Sequence, residues 1–197
     1  MNEEGVIKFQ CDWTEAAAVD DAVIKKLNLW RDRLHAAGLV GMTDDGIGYG
    51  NISRRLDETS FIISGSGTGA LSKLSAAHYA TVTGYHLEQN KVTAKGPLMP
   101  SSESLTHAAI YSQAKQVQAV FHVHHHDLWH QLLHSTPSTA PDVPYGTPQM
   151  AKEVMRLISE SNTRLFAMAG HEDGIIAFGE TEEEAGKLLM DAVISLV

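Results

Sequence analysis

Two histidines one residue apart, His122 and His124, end the apolar run Ala119-Val120-Phe121-His122-Val123-His124. Side chains alternate faces along a strand, so both imidazoles project the same way, with Cα atoms roughly 6 to 7 Å apart, while Val123 packs on the other face. Two rings so placed can reach one cation at about 2.0 to 2.1 Å, which makes the pair a candidate metal site. An H-x-H pair by itself is also compatible with two packing histidines, and the chain has 11 histidines, so the surroundings must decide. His126, His130 and His134 recur every fourth residue and would line one helix face. Without an acidic partner at metalloprotease spacing, that row reads as a polar face or subunit contact. Trp13, Trp30 and Trp129 read as packing residues.

Strands and helices must position this pair. From Asp20 to Ala37 the apolar residues Val23, Ile24, Leu27, Trp30 and Leu34 fall at helical spacing, with Gly38 as the terminating residue. Residues 1–19 read as an N-terminal arm before it. Ile47–Leu56 and Ser60–Ser64 are β-like runs, and Gly65-Ser66-Gly67-Thr68-Gly69 interrupts regular structure. Tyr79–His86 and Lys91–Ala94 predict a hairpin, Ser102–Ala114 a helix capped by Ser102, and Gln116–His124 a buried strand. Helices follow over Asp127–His134 and from about Pro148 to Ser161, the latter with Thr147 as cap and Pro148 at its first position. Leu165–Ala169 and Gly174–Phe178 are strands joined by Gly170-His171-Glu172-Asp173, and Thr181-Glu182-Glu183-Glu184 opens a final helix running to Val197. Several strand pairs are joined by tight turns, so the sheet is expected to be mixed or largely antiparallel, with helices on both faces.

Bulk properties narrow the partners. The 197 residues suit one large domain, and no linker, repeat or low-complexity segment divides them. A net charge of −9 argues against a nucleic acid or an anionic membrane as partner, because both require a positive face. Cys11 is the sole cysteine, so neither an intramolecular disulfide nor a thiolate metal cluster can form. Met1-Asn2-Glu3-Glu4-Gly5 is acidic where a secretory leader is basic, and no apolar run reaches the roughly 18 residues that span a bilayer. The expectation is a soluble cytoplasmic protein acting on a small molecule.

In this order, the segments resemble the class II aldolase/adducin family from about Ile47 to the C-terminal helix. Gly50-Asn51-Ile52-Ser53 looks like the family's G-N-hydrophobic-S segment and Ser64-Gly65-Ser66-Gly67 like its T-P-T/S-G turn. Pro100-Ser101-Ser102-Glu103, with His107 and Tyr111, looks like its P-S-S-E helix start, and the strand ending at His124 like its A-V-hydrophobic-H-x-H strand. The resemblance implies an α/β fold, a three-layer α/β/α arrangement around a mixed, largely antiparallel sheet. It also implies a divalent metal, usually zinc, held by three histidines. His122 and His124 match two ligands; the third usually stands immediately before a glycine in a turn near the C-terminus. Here that turn reads Gly170-His171-Glu172-Asp173-Gly174, which makes His171 the expected ligand and Asp173 the alternative.

The same resemblance makes Glu103 the proton-transfer residue, although a glutamate also suits a helix start on charge alone. It assigns Asn51, Ser66, Gly67, Ser101 and Ser102 to a substrate phosphate, in keeping with the unpaired N–H groups that glycine turns and helix starts offer an anion. As plain structure, those segments would be a turn and a cap. His107 is expected to support the site without being a ligand. Together these imply a zinc-dependent carbon–carbon lyase acting on a small phosphorylated ketose through a metal-stabilised enediolate, assembled as a homotetramer. Two alternatives stand beside it: a sugar-phosphate dehydratase of the methylthioribulose-1-phosphate type, and a non-catalytic adducin-like assembly module, whose heads lack the metal histidines. Glu103 also argues against the pentulose-phosphate epimerase branch, which has aspartate there. The segment between His124 and Tyr145 is shorter than in the family's sugar-phosphate aldolases, and the sequence ends at Val197, before an extension that carries an active-site tyrosine. The expectation is a site lacking their aldehyde-side acid, with Tyr145 as the candidate to compensate.

Overall fold

In a computed structural model that describes residues 6–196, apolar runs broken by turn residues form the strands β1 (Gln10–Glu15), β2 (Gly41–Met42), β3 (Gly48–Tyr49), β4 (Asn51–Arg55), β5 (Phe61–Ser64), β6 (Tyr79–His86), β7 (Lys91–Gly96), β8 (Ala119–His124), β9 (Leu165–Ala167) and β10 (Gly174–Gly179). Residues with helical periodicity form α1 (Asp21–Ala36), α2 (Ser104–Gln113), α3 (His126–Ser135), α4 (Pro148–Glu160) and α5 (Glu182–Ile194). Eight strands make one sheet in the order β1-β7-β6-β5-β4-β8-β10-β9, and β2 and β3 pair separately. Among the described residues only β1 with β7 is parallel, so the sheet is mixed and largely antiparallel, as the tight turns require.

Period-two alternation sorts the core into two layers. Ile52, Ile62, Phe121, Val123, Ile175 and Ala177 face Leu27, Trp30 and Leu34 of α1, Leu128 and Leu132 of α3, and Leu189 of α5. Their strand neighbours Phe61, Ile63, Val120, Ile176 and Phe178 face Leu105 and Ala108 of α2 and Met150, Val154 and Leu157 of α4. His122 follows Phe121 in the chain and therefore emerges on the α2/α4 side. This is the expected three-layer α/β/α class.

Local outcomes depart from the sequence reading at several ends. Gln10–Glu15, expected within an arm, is a strand: it lies along β7 from Gln10↔Lys91 to Glu15↔Gly96, with Cys11 and Trp13 packed against the core. The unpaired ladder groups of β7 are the reason, since an open sheet edge is satisfied by whichever strand can reach it. Residues 1–5 of that arm lie outside the described residues. The cap of α2 is Glu103 rather than Ser102, and no side chain caps it; Ser101 serves locally instead, its carbonyl accepting from Ser104 N and Oγ at 3.1 and 2.7 Å. The last helix stops at Ile194, short of the expected Val197, which also lies outside the described residues.

Gly50 joins β3 to β4 with φ +76°, a left-handed conformation that side chains disfavour. An added Cβ would lie 2.8 Å from Val40 Cγ1 and 3.2 Å from His122 O. Gly50→Ala is therefore expected to lower unfolding free energy by about 1–3 kcal/mol, measured by urea denaturation.

Candidate metal centre and anion cradle

The register between β8 and β10 builds the metal-ligating cluster. His124 stands opposite Gly174 and His122 opposite Ile176, so the turn entering β10 arrives beside both imidazoles. That turn is pinned by His171 N donating to Met168 O at 3.0 Å and Gly174 N donating to His171 O at 2.9 Å. Gly174 leaves room for the imidazole, because a Cβ there would lie 3.0 Å from the His171 ring. The rings of His122, His124 and His171 then converge, with centroids 5.0, 5.0 and 4.8 Å apart and one ligating nitrogen from each within 4.8 Å of the others.

These side chains fit a cation. His122 Nε2 and His124 Nε2 are 3.2 Å apart, close to the about 3.3 Å separating two nitrogens bound at about 2.0 to 2.1 Å on a tetrahedral ion. His122 Nδ1–H donates to Ile175 O at 3.2 Å, which fixes the tautomer that leaves Nε2 with its lone pair. Burial, and after it the neighbouring His171 and His124, hold the His122 pKa well below the ordinary histidine value. A neutral imidazole is the form that ligates.

Asp173, the alternative to His171, points elsewhere. It adopts φ +63°, and its carboxylate accepts from His126 Nδ1 at 2.9 Å, raising the His126 pKa. His171 instead stacks on Tyr145, with centroids 4.3 Å apart and planes inclined by 22°, and Lys8 Nζ lies 4.1 Å from the Tyr145 ring centre. Neither contact carries a sequence signal, since both join segments distant in the chain. His125 is used locally, its Nδ1 accepting from Leu128 N at the start of α3. His130 packs edge-on against His126 and Trp129, whose indole donates to Met168 O.

Glu103 is buried at 1% exposure, and its Oε1 lies 3.7 Å from His171 Nδ1. The two residues before it face a different space. Ser101 and Ser102 line a recess with Asn51, Ser66 and Gly67, so the structure gathers all five residues assigned to phosphate from the sequence. Gly48, Gly50, Gly65, Thr68 and Gly69 complete the lining, none of them singled out for it by sequence. Asn51 pairs with His122 across β4 and β8, which puts both side chains on one face and ties the recess to the histidine cluster. Gly65 bridges to Pro100, docking the glycine loop against the segment that carries Glu103.

Behind the site, Ser53 Oγ is 2.6 Å from His107 Nδ1 and 2.8 Å from the Tyr111 hydroxyl, a wholly buried polar network between β4 and α2. Burial pushes the His107 pKa down to about 3. Below pH about 6.5 the unfolded chain binds a proton at this residue that the folded chain does not, so folding stability falls as pH drops from about 6.5 toward 3. His107→Gln is expected to flatten that acid limb, measured as melting temperature against pH.

The sequence matches the model of the class II aldolase and adducin N-terminal domain over residues 32–193. The chain belongs to this family. No curated protein matches it. Among solved structures, it is similar to the L-fuculose-1-phosphate aldolase of Thermus thermophilus, with a TM-score of 0.65 and 23% identity, covering 88% of this chain and 92% of that one. It is similar to YgbL of Escherichia coli, described as a putative aldolase/epimerase/decarboxylase, at 0.65 and 20% over 87% and 84% of the two chains. A sugar-phosphate aldolase of Thermotoga maritima follows at 0.64 and 16%, over 89% and 93%. At these identities the likeness establishes the class II aldolase fold. Family membership supports aldolase-type lyase chemistry, for which class II aldolases use a divalent metal, and the three histidines of this class II aldolase-fold chain are compatible with one. Among the described residues, no helix is long and apolar enough to cross a membrane.

Proposed function

We propose that the protein is a zinc-dependent carbon–carbon lyase that cleaves a small phosphorylated ketose. The observation that carries this reading is a single short segment, Ser101-Ser102-Glu103, which lines the anion recess with its serines and places its carboxylate beside His171. A phosphate in the recess would be held by the Asn51 amide, the Ser66, Ser101 and Ser102 hydroxyls and the loop N–H groups, leaving the sugar carbons to extend toward Glu103 and the histidines. His122, His124 and His171 would hold the cation, and their neutrality would leave it its full charge. Once bound, it supplies Lewis-acid stabilisation of the negative charge that develops on the substrate oxygens. As the carbon–carbon bond breaks, the hydroxyl on the departing carbon gives up its proton and becomes the aldehyde, and Glu103 delivers a proton to the carbon left behind as the enediolate, removing it again in the reverse direction. Burial of Glu103 excludes bulk water from that transfer.

We read the chain as one domain, working in the cytoplasm as a homotetramer. The test of the function is a screen of ketose 1-phosphates against the zinc-loaded protein, with product identification. Release of an aldehyde and a three-carbon phosphate supports the lyase. Loss of water without chain cleavage replaces it with the dehydratase. A purified protein free of metal, whose melting temperature does not respond to added zinc, would instead mark a binding module.

A further inference from the structure

Arg31 lies on the apolar stripe of α1, four residues after Leu27 and three before Leu34, and its side chain is buried at 1% exposure. A guanidinium so placed needs acceptors. Its Nη2 donates to three backbone carbonyls of one loop: Leu71 O at 2.8 Å, Gly69 O at 3.0 Å and Thr68 O at 3.3 Å. Thr68 and Gly69 are also part of the anion recess, so Arg31 stands directly behind its wall.

Peptide units are planar and trans, so turning a carbonyl toward Arg31 turns the N–H of the same unit the opposite way. With Thr68 O on Arg31, the Gly69 N–H faces away from it. Gly48, another recess residue, packs close to this unit: an added Cβ there would lie 3.4 Å from Gly69 N. Among the described residues, no backbone carbonyl accepts from the amides of Gly67, Thr68 or Gly69. Thr68 Oγ1 donates to Gly65 O at 2.8 Å, drawing a further carbonyl of the loop inward. Among the described residues, no lysine or arginine lines the recess itself.

We propose that Arg31 is the positioning residue of the anion cradle: it holds the loop carbonyls away from a bound phosphate, turns the Gly69 amide toward it, and places a positive charge behind a cradle whose own side chains are neutral. The assignment rests on reading the recess as the substrate's phosphate site. A guanidinium bonded to peptide oxygens polarises those units, so their N–H ends become stronger donors to an anion. One nitrogen, Nη2, makes all three of these bonds, so a lysine ammonium can replace only part of the guanidinium's role, its charge and some of the carbonyl contacts.

The test is calorimetric titration of inorganic phosphate into the zinc-loaded parent, Arg31→Met and Arg31→Lys, with Asn51→Ala reporting that binding occurs in the recess rather than at the metal. Phosphate affinity is expected to fall roughly 10- to 100-fold in Arg31→Met, the scale observed when a group orienting a ligand's direct partners is removed. Arg31→Lys should recover part of that loss, and zinc stoichiometry should stay at the parent's value in both. If Arg31→Met does not fold, Arg31→Lys and Thr68→Val carry the measurement, each with an expected several-fold loss. Phosphate binding unchanged from the parent in folded Arg31 variants overturns the assignment alone. A zinc-loaded parent that takes up no phosphate overturns the phosphate reading and this assignment together.

Discussion

Glu103→Gln is expected to retain zinc and to lose proton exchange at the substrate carbon by roughly 10²- to 10⁴-fold, the range that a positioned acid–base group contributes. Glutamine preserves the shape of the buried side chain and its place at the start of α2, but it cannot accept a proton at neutral pH. The start of α2 is held by Ser101 O, which receives Ser104 N and Oγ, and not by a side-chain cap. Metal content by atomic emission and deuterium wash-in from solvent separate the two effects. Wild-type exchange in a zinc-replete glutamine variant would remove Glu103 as the base.

His171→Ala is expected to weaken zinc binding by more than about 100-fold, exceeding the 10- to 100-fold typical of losing a mere orienting partner, and to abolish turnover with it. His122→Ala should behave alike and lose exchange as well as metal. Asp173→Asn should change zinc affinity by no more than a few-fold, because its carboxylate is engaged by His126 at 2.9 Å on the exposed side of the turn. Its signature is instead at His126, whose raised pKa should drop toward the ordinary histidine value in an NMR titration, since the hydrogen bond to Asp173 is the chief cause of the rise. Chelator competition measures the zinc affinities. Equal losses in His171→Ala and Asp173→Asn would return the third ligand to dispute.

How far the site could be read from residues alone depended on the range over which each feature is encoded. His122 and His124 were legible because a strand's period of two places them on one face whatever the strand pairs with. The helices α1, α4 and α5 were legible for the same local reason, as were the caps Thr147 and Thr181, each accepting from an amide three residues on. The β1 strand was not, because Gln10-Cys11-Asp12-Trp13-Thr14-Glu15 is largely polar and becomes a strand only by meeting the edge of β7. Arg31 was passed over because a charged residue in a helix ordinarily marks the solvated face, and its acceptors lie more than thirty residues away along the chain. Ser53 acquires its hydrogen bonds to His107 and Tyr111 only when α2 packs on β4.

By itself the sequence determined the inventory and the local geometry: the paired imidazoles, the glycine loop, the Ser101-Ser102-Glu103 segment and the period of every element carrying them. Tertiary structure decided which of these meet. The β8–β10 register put Gly174 beside His124 and so brought in His171, while the left-handed turn at Asp173 sent its carboxylate the other way. Pairing of β4 with β8 joined Asn51 to His122, and α1 carried Arg31 beneath the loop. The physical reason is one of range. Backbone periodicity and capping act over a few residues and are written consecutively in the chain. Ligand sets and anion cradles depend on strand register and on the burial of polar groups that must find partners, and those are settled only when distant segments pack.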